Sequence, residues 1–132
     1  MKSRLAFSIL RILGVTYGIA LMAGEAARSW GMGRHWAWIL DDFVVGAPLV
    51  IAAVLVGNPT LRRRCAFSAA WAANAGMVYS SFFTKLLEPA KTDVGNATAD
   101  GLLYGAGFAL IQCSVCAVAS IVVDPVRINE KP

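Results

Sequence analysis

The amino-acid sequence predicts an all-α membrane protein whose four transmembrane helices form an antiparallel bundle. Hydrophobic residues make up 58% of the 132 positions and charged residues 15%, whereas soluble domains are about 45–50% apolar. The mean hydropathy of +0.61 agrees with this balance. The charged residues also cluster, and they leave four long apolar runs. Because these runs account for most of the chain, we expect one domain, residues 1–132, with a multi-pass location in the inner (cytoplasmic) membrane.

Each of the four runs is close to the length of a transmembrane helix, which is about 20 residues for a hydrocarbon core of ~30 Å. The predicted spans cover about residues 5–27, 37–57, 65–87 and 101–123. The first run follows Lys2 and Arg4 as a signal peptide would, but Arg11 interrupts its apolar part. We therefore expect a retained first helix rather than a cleaved leader.

The second span contains two adjacent acids, Asp41 and Asp42, whose depth depends on where the helix begins. A helix that began after them, at Phe43–Gly57, would have 15 residues. Its length would be about 22 Å at 1.5 Å per residue, which is too short for the hydrocarbon core. Including Trp36–Leu40 restores a full span and places both acids one to two turns inside it.

A weak internal repeat suggests a different start for the second span. The segment from Asp41 to Ala47 resembles the segment from Asp100 to Ala106, and Asp100 is the expected N-cap of the fourth helix. If the repeat reflects two duplicated hairpins, Asp41 also begins its helix, and the preceding tryptophan-rich segment lies at the membrane interface. The sequence is compatible with either start.

Small residues recur every fourth position in three of the spans, and they predict close helix packing. They are Gly14 and Gly18 in the first span, Ser68, Ala72, Gly76 and Ser80 in the third, and Gly101, Gly105, Ala109, Cys113 and Ala117 in the fourth. Small side chains let helix backbones approach each other in lipid, so the pattern indicates tight intramolecular packing or self-association. Asn74 and Gln112, near the middle of their spans, are expected to make polar contacts between helices.

The distribution of Lys and Arg predicts the orientation of the spans. Most of the basic residues fall on the side of the two termini, namely Lys2, Arg4, Arg11, Arg62, Arg63, Arg64, Arg127 and Lys131. The others, Arg28, Arg34, Lys85 and Lys91, fall on the opposite side. By the positive-inside rule both termini should be cytoplasmic. The run of three arginines is interpreted as an orientation signal, and no nucleic-acid partner is expected.

Three carboxylates share one level near the outer ends of the first two spans: Glu25, Asp41 and Asp42. Glu25 follows Gly14 by 11 residues, about three helical turns, so it shares the small-residue face of its helix. At a similar level the other two spans supply Ser80, Ser81, Thr84, Lys85 and Tyr104. We expect a polar pocket in the outer leaflet, in which the candidate ligand- or ion-binding residues are Glu25, Asp41, Asp42, Lys85 and Tyr104.

Two functions are compatible with these acids. In the first, the acids pair with Arg28, Arg34 and Lys85, and the chain is a helix-packing, assembly or accessory protein. The sequence favours this function, with the lipid bilayer and either a homo-oligomer or a larger membrane complex as partners. In the alternative, Glu25 and Asp42 exchange a proton for a cation, and the chain is a small proton-coupled transporter or channel for a cation or cationic solute.

The sequence offers little basis for catalysis or for a bound cofactor. It contains no Ser/His/Asp constellation, phosphate-binding loop or zinc motif. His35 is the only histidine, and the CxxC formed by Cys113 and Cys116 stands without a second such pair. We therefore interpret the cysteines as packing residues and expect the chain to be no enzyme and to hold neither a metal nor a cofactor.

Overall fold

The computed structural model describes residues 2–31, 36–88 and 98–123 of the chain. The regular structure in these residues consists of four α-helices: α1 (Lys2–Ser29), α2 (Trp36–Leu55), α3 (Leu61–Leu87) and α4 (Ala99–Val122). The prediction of an all-helical chain with four helices is confirmed. Two of the helices contain a stretch that is long and apolar enough to cross a membrane, Arg4–Ser29 in α1 and Asp100–Val122 in α4.

Helix α2 begins at Trp36, and both Asp41 and Asp42 lie inside it. The alternative in which Asp41 begins the helix is therefore wrong. The physical reason is that Trp36–Leu40 carries no proline, glycine or other breaker, so the helix extends over it. Helix α2 also continues past Pro48 without interruption.

Threonine side chains fix the starts of the second hairpin's helices. Thr60 accepts a hydrogen bond from the Arg63 backbone nitrogen at 3.3 Å, so α3 begins four residues before the predicted position 65. Thr98 accepts from the Gly101 nitrogen at 3.2 Å and is the N-cap of α4. The prediction that Asp100 is the N-cap is therefore wrong. Asp100 lies in the first turn of α4, where a carboxylate still interacts favourably with the helix dipole.

The helices pack as two antiparallel hairpins, α1 with α2 and α3 with α4. Contacts are most extensive within these pairs, fewer between α2 and α3, and fewest between α1 and α4 among the four neighbouring pairs. Arg64, at the start of α3, donates to the Val123 carbonyl at the end of α4 at 3.0 Å, which establishes the antiparallel direction. Arg11 does the same for the first hairpin through the Ala53 carbonyl, at 3.1 Å.

The hydrophobic core lies at the end of the molecule that contains these two arginines. Its buried residues are Phe7, Leu10, Leu49, Ala53, Val56, Phe67, Ala70, Trp71, Cys113, Cys116 and Ala117. Trp71 lies at the inner edge of this cluster and is fully buried. Its ring centroid is 6.2 Å from that of Phe67 and 5.5 Å from that of Tyr17, so it links the core to the other half of the molecule.

Gly14 and Gly18 of α1 lie where that helix closely approaches its neighbours. A Cβ atom on Gly18 would lie 2.8 Å from the Gly46 carbonyl oxygen, and one on Gly14 would lie 2.9 Å from the Phe67 ring. On α3, by contrast, Ala72, Gly76 and Ser80 are exposed. A Cβ on Gly76 would meet nothing within 4 Å.

The surface of the helices is strongly apolar. Large hydrophobic side chains are exposed on every helix, and on α4 they form a continuous ridge of Tyr104, Phe108, Ile111, Val115, Val118, Ile121 and Val122. Several polar side chains are buried instead, namely Glu25, Ser29, Ser68, Asn74 and Ser120. Apolar side chains therefore make up much of the exposed surface, while some polar side chains are buried.

Candidate functional site

A cavity of about 710 Å³ lies among the four helices, beyond Trp71 from the hydrophobic core, and each helix contributes to its wall. Four of the five candidate binding residues line it: Glu25 of α1, Asp41 and Asp42 of α2, and Lys85 of α3. The fifth, Tyr104 of α4, does not line the cavity, and its side chain is 77% exposed. Tyr104 belongs to the outward ridge of α4 because that helix turns the opposite face, with Gly105 and Ala106, toward the cavity.

Glu25 is a buried carboxylate on the cavity wall, and two of its partners come from its own helix. Only 3% of its surface is exposed. Arg28 forms an ion pair with it, and the Ser29 hydroxyl donates a hydrogen bond to it at 2.5 Å. Spacings of three and four residues place these side chains on one helix face. The Glu25 charge is therefore compensated in place, as buried charges require.

Asp41 and Asp42 meet the cavity at different depths. Neighbouring residues of a helix are rotated by about 100°, so the two carboxylates cannot point in the same direction. Asp41 is exposed at the rim and Asp42 is half-buried. Lys85, in the last turn of α3, is also half-buried and lines the same cavity. Together with the Glu25–Arg28 pair, these groups give the described wall one more acidic than basic side chain.

The wall becomes less polar with distance from the rim. Along α3, hydroxyl groups follow Lys85 toward the interior: Ser80, Ser81 and Thr84. The innermost lining consists of Tyr17, Leu21, Met77, Val78, Ala106 and Ala109. Tyr17 lies 11 positions before Arg28 on α1, which corresponds to about 16 Å of helix. The cavity therefore has a charged entrance and an apolar interior.

The floor of the cavity joins the two hairpins. Tyr17 of α1 packs against Trp71 of α3 and lies beside Cys113 of α4. Asn74 of α3 donates through Nδ2 to the Val45 carbonyl of α2, at 3.0 Å, and to the Ala70 carbonyl of its own helix, at 2.9 Å.

Two further polar atoms lie at this depth. Within the described part of the chain, Asn74 Oδ1 and Trp71 Nε1 are buried and have no hydrogen-bond partner. Gln112 is half-buried and makes no hydrogen bond with Asn74 in the described residues. The polar contact of Asn74 therefore runs to α2, and not to α4, where Gln112 lies.

The cavity wall between α1 and α4 is formed by small residues. Ala20 of α1 and Gly105 of α4 both line the cavity and are both exposed on the outer surface of the molecule. A Cβ on Gly105 would meet nothing within 4 Å. Because α1 and α4 also make the fewest contacts of the neighbouring pairs, this is the side on which the helices close the cavity least.

Sequence reasoning overlooked Tyr17, and it assigned the small residues of α4 to helix packing, whereas Gly101, Gly105 and Ala109 line the cavity. A signal for Tyr17 exists, because Tyr17, Leu21 and Arg28 recur on one helix face and all three line the cavity. Arg34, considered as a pairing partner, and His35, the single histidine of the sequence, lie outside the described residues. Among the residues that are described, no group of three or more His, Cys, Asp and Glu side chains could hold a metal ion. Comparisons of the chain with protein families, with curated proteins and with solved structures find no match.

Proposed function

We propose that this chain is a four-span protein of the cytoplasmic membrane that binds a small cationic solute in its cavity and exchanges it for a proton. The observation that carries the proposal is the cavity itself. All four helices line it, and acidic groups outnumber basic ones on its described wall. An assembly protein needs no such space, so the geometry favours the alternative function over the one that the sequence favours.

The apolar surface supports a membrane location for all four helices. At most 22% of the residues in either candidate span are buried, whereas the core helix of a soluble protein is mostly buried. Helix α2 exposes Phe43, Val44 and Ile51 in the same way. An apolar surface of this extent favours lipid as its surroundings. Helix α3 lies between α2 and α4 and has 27 residues, about 40 Å, which is enough to cross the bilayer with them.

The positions of the arginines support an orientation with both termini in the cytoplasm. Arg11 and the run Arg62–Arg64 lie at the end of the molecule that holds the hydrophobic core. The positive-inside rule assigns this end to the cytoplasm. The cavity, at the other end, then opens on the outer side of the membrane.

The direction of opening supports a transport role. The core closes the cytoplasmic half, and the cavity occupies the outer half. The hairpins contact each other less than the helices within each hairpin do, so rocking of one hairpin against the other is the motion that the packing allows. A carboxylate such as Asp42 binds either the cation or a proton, so the entry of one releases the other.

Transport can be tested with purified protein in proteoliposomes. The probe is radiolabelled tetramethylammonium, a permanent cation, and the driving force is an imposed pH gradient. We expect uptake above protein-free liposomes and at least a tenfold loss in Asp42→Asn. Asp100→Asn is the matched control, because Asp100 is exposed at the same end of the molecule but does not line the cavity. Equal uptake by Asp42→Asn and the native chain would overturn the proposal.

An assembly role remains a second candidate because one face of α3 contacts no other helix within the described part of the chain. Ala72, Gly76 and Ser80 of α3 are exposed, and the space beside Gly76 is open. In lipid, a small-residue face of this kind favours association with another helix. Cross-linking in native membranes tests this role: a dimer or a larger complex through α3 supports it, and detection of the monomer alone counts against it.

A further inference from the structure

We infer that the cavity binds an amphiphile: an organic ammonium ion whose charged head lies at the rim and whose apolar body fills the interior. The ligand enters from the outer leaflet through the opening between α1 and α4. This inference rests on the proposed function, since it assigns the ligand class of the same cavity. It goes further by excluding small hydrophilic cations as the preferred ligand.

Along the cavity wall, charged side chains lie at the entrance and apolar side chains lie in the interior. The charged residues lie at the entrance, where Asp41 is exposed and Asp42 is half-buried. The interior is lined by Leu21, Met77 and Ala109, and it contributes no ionisable acid or base of its own apart from the Tyr17 phenol among the described lining residues. A hydrophilic cation gains nothing from this interior. An apolar body does, at about 0.8 kcal/mol for each methylene removed from water.

The charged and hydrogen-bonding groups of the cavity wall limit the kind of head group that it can bind. Arg28 forms an ion pair with Glu25 in its own helix. The Thr84 hydroxyl donates its proton to the Ser80 carbonyl at 2.9 Å, so its oxygen presents lone pairs. The described wall carries three carboxylates and two basic groups, Arg28 and Lys85, so its net charge is negative. Such a wall favours a cationic head over an anionic one.

The side of the cavity between α1 and α4 is the expected path of entry for the ligand. The other side of the cavity floor is joined by the Asn74 hydrogen bond between α2 and α3. Between α1 and α4 the wall consists of the small residues Ala20 and Gly105, both exposed. In the proposed orientation this opening faces the acyl chains of the outer leaflet. A solute without an apolar part would not reach it, whereas an amphiphile already resides there.

The volume agrees with a ligand of moderate size. The cavity measures about 710 Å³, which lies within the range of about 300–1,000 Å³ that is typical of small-molecule sites. Its depth along α1, about 16 Å, exceeds what a single ammonium group occupies. The length of the cavity therefore favours an ammonium ion with an attached chain.

A series of probes with one head and growing chains tests this ligand class. Tetramethylammonium and the butyl-, hexyl- and octyl-trimethylammonium ions are titrated against the purified protein in uncharged maltoside micelles, with protein-free micelles as the blank. We expect the affinity to rise with chain length, by up to about fourfold per methylene. Asp42→Asn should weaken binding of the whole series.

A filling substitution separates the interior from the entrance. Ala106→Phe places a ring in the inner part of the cavity, where Ala106 is half-buried. It should reduce octyl-trimethylammonium affinity at least tenfold and tetramethylammonium affinity less than twofold. Ala23→Phe is the matched control, because Ala23 is exposed on α1 and does not line the cavity. The melting temperature of each variant identifies any that fails to fold.

A lipid arm identifies the source of the amphiphile. Native mass spectrometry compares retention of phosphatidylethanolamine and phosphatidylcholine, which carry an ammonium group, with phosphatidylglycerol of the same acyl chains, which carries none. Preferential retention of the first two supports a lipid source. Retention of the alkylammonium probes alone supports a free amphiphile.

The outcomes distinguish this inference from the proposed function. Chain-independent affinity that is still lost in Asp42→Asn would overturn the amphiphile and leave cation binding in place. Absence of binding for every probe and every lipid would overturn both. Chain-dependent affinity that Ala106→Phe leaves unchanged would place the ligand outside the cavity and would also overturn the inference.

Discussion

Asn74 of α3 donates a hydrogen bond of 3.0 Å to the backbone carbonyl of Val45 in α2, and this bond joins the two hairpins at the floor of the cavity. The Asn74 side chain is fully buried. Its second donor bond, to Ala70, holds the amide in the orientation that reaches α2. The relationship places a polar link between the hairpins at the depth where the hydrophobic core meets the cavity.

Replacing Asn74 tests the strength of that link. Asn74→Leu keeps a side chain branched at Cγ and removes the donor, so we expect a loss of about 1 kcal/mol in unfolding free energy, as for other hydrogen bonds within membranes. Gln112→Leu is the control, because Gln112 is half-buried and makes no hydrogen bond in the described residues. Unfolding in mixed micelles measures both variants. An equal loss in the two would argue against a special role for the Asn74 bond.

Gly18 should be the most sensitive glycine of α1. In Gly18→Ala the new methyl would lie 2.7 Å from Val50 Cγ2 and 2.8 Å from the Gly46 carbonyl oxygen. The carbonyl is backbone and cannot move aside without separating the helices, so we expect a destabilisation of about 1–3 kcal/mol. Gly76→Ala has open space and should be neutral or slightly stabilising. Melting temperatures of the two variants provide the comparison, and a tolerated Gly18→Ala would contradict the close approach.

Arg64 should stabilise the end of α4. Its guanidinium donates to the carbonyls of Ser120, Ile121 and Val123, which have no partner within the helix. In Arg64→Met we expect faster hydrogen exchange in the last turn of α4. Arg62→Met removes the same charge from an exposed position and serves as the control. If hydrogen exchange in the last turn of α4 were similar in the two variants, the effect would come from the lost charge alone and not from the Arg64 hydrogen bonds.

The Glu25–Arg28 pair should behave as a unit. Glu25→Gln removes the ion pair with Arg28, whose side chain is 33% exposed, so we expect a destabilisation of about 1–3 kcal/mol. Arg28→Met should also destabilise, because it leaves the Glu25 charge in the cavity wall. The double variant should lose less than the sum of the two single losses. Strictly additive losses in unfolding experiments would show that the two side chains are not coupled.

Much of the fold could be predicted because hydropathy reports the number and length of helices directly. Residues at a similar level of different helices could be predicted as well, since antiparallel neighbours place Glu25 and Asp42 at similar distances from their hairpin's end. The direction in which each residue faces was harder to infer. Tyr104 was assigned to the pocket from its level alone, but α4 turns it outward.

The contacts between hairpins could not be predicted for a related reason. A repeat of small residues indicates that a helix can be approached closely, but it does not identify the helix that approaches. In α1 that neighbour is α2, at Gly46, whereas on α3 the face around Gly76 has none within the described chain. The partner of Asn74 is a backbone carbonyl, and every residue of α2 offers one, so no sequence pattern singles out Val45.

Helices α1 and α4 contact each other least of the neighbouring pairs, and we call this side of the bundle the seam. The two helices that flank it are the first and the last of the four. Each hairpin retains its own arginine-to-backbone bonds, Arg11 to Ala53 and Arg64 to Val123. The seam can therefore widen without breaking a bond inside either hairpin. Such widening would change contacts between the hairpins, among them those of Tyr17 with Trp71 and of Asn74 with Val45. The two hairpins are thus joined by the hydrophobic core and by the contacts at the floor of the cavity. The size of a ligand that enters between them depends on how far α1 and α4 separate.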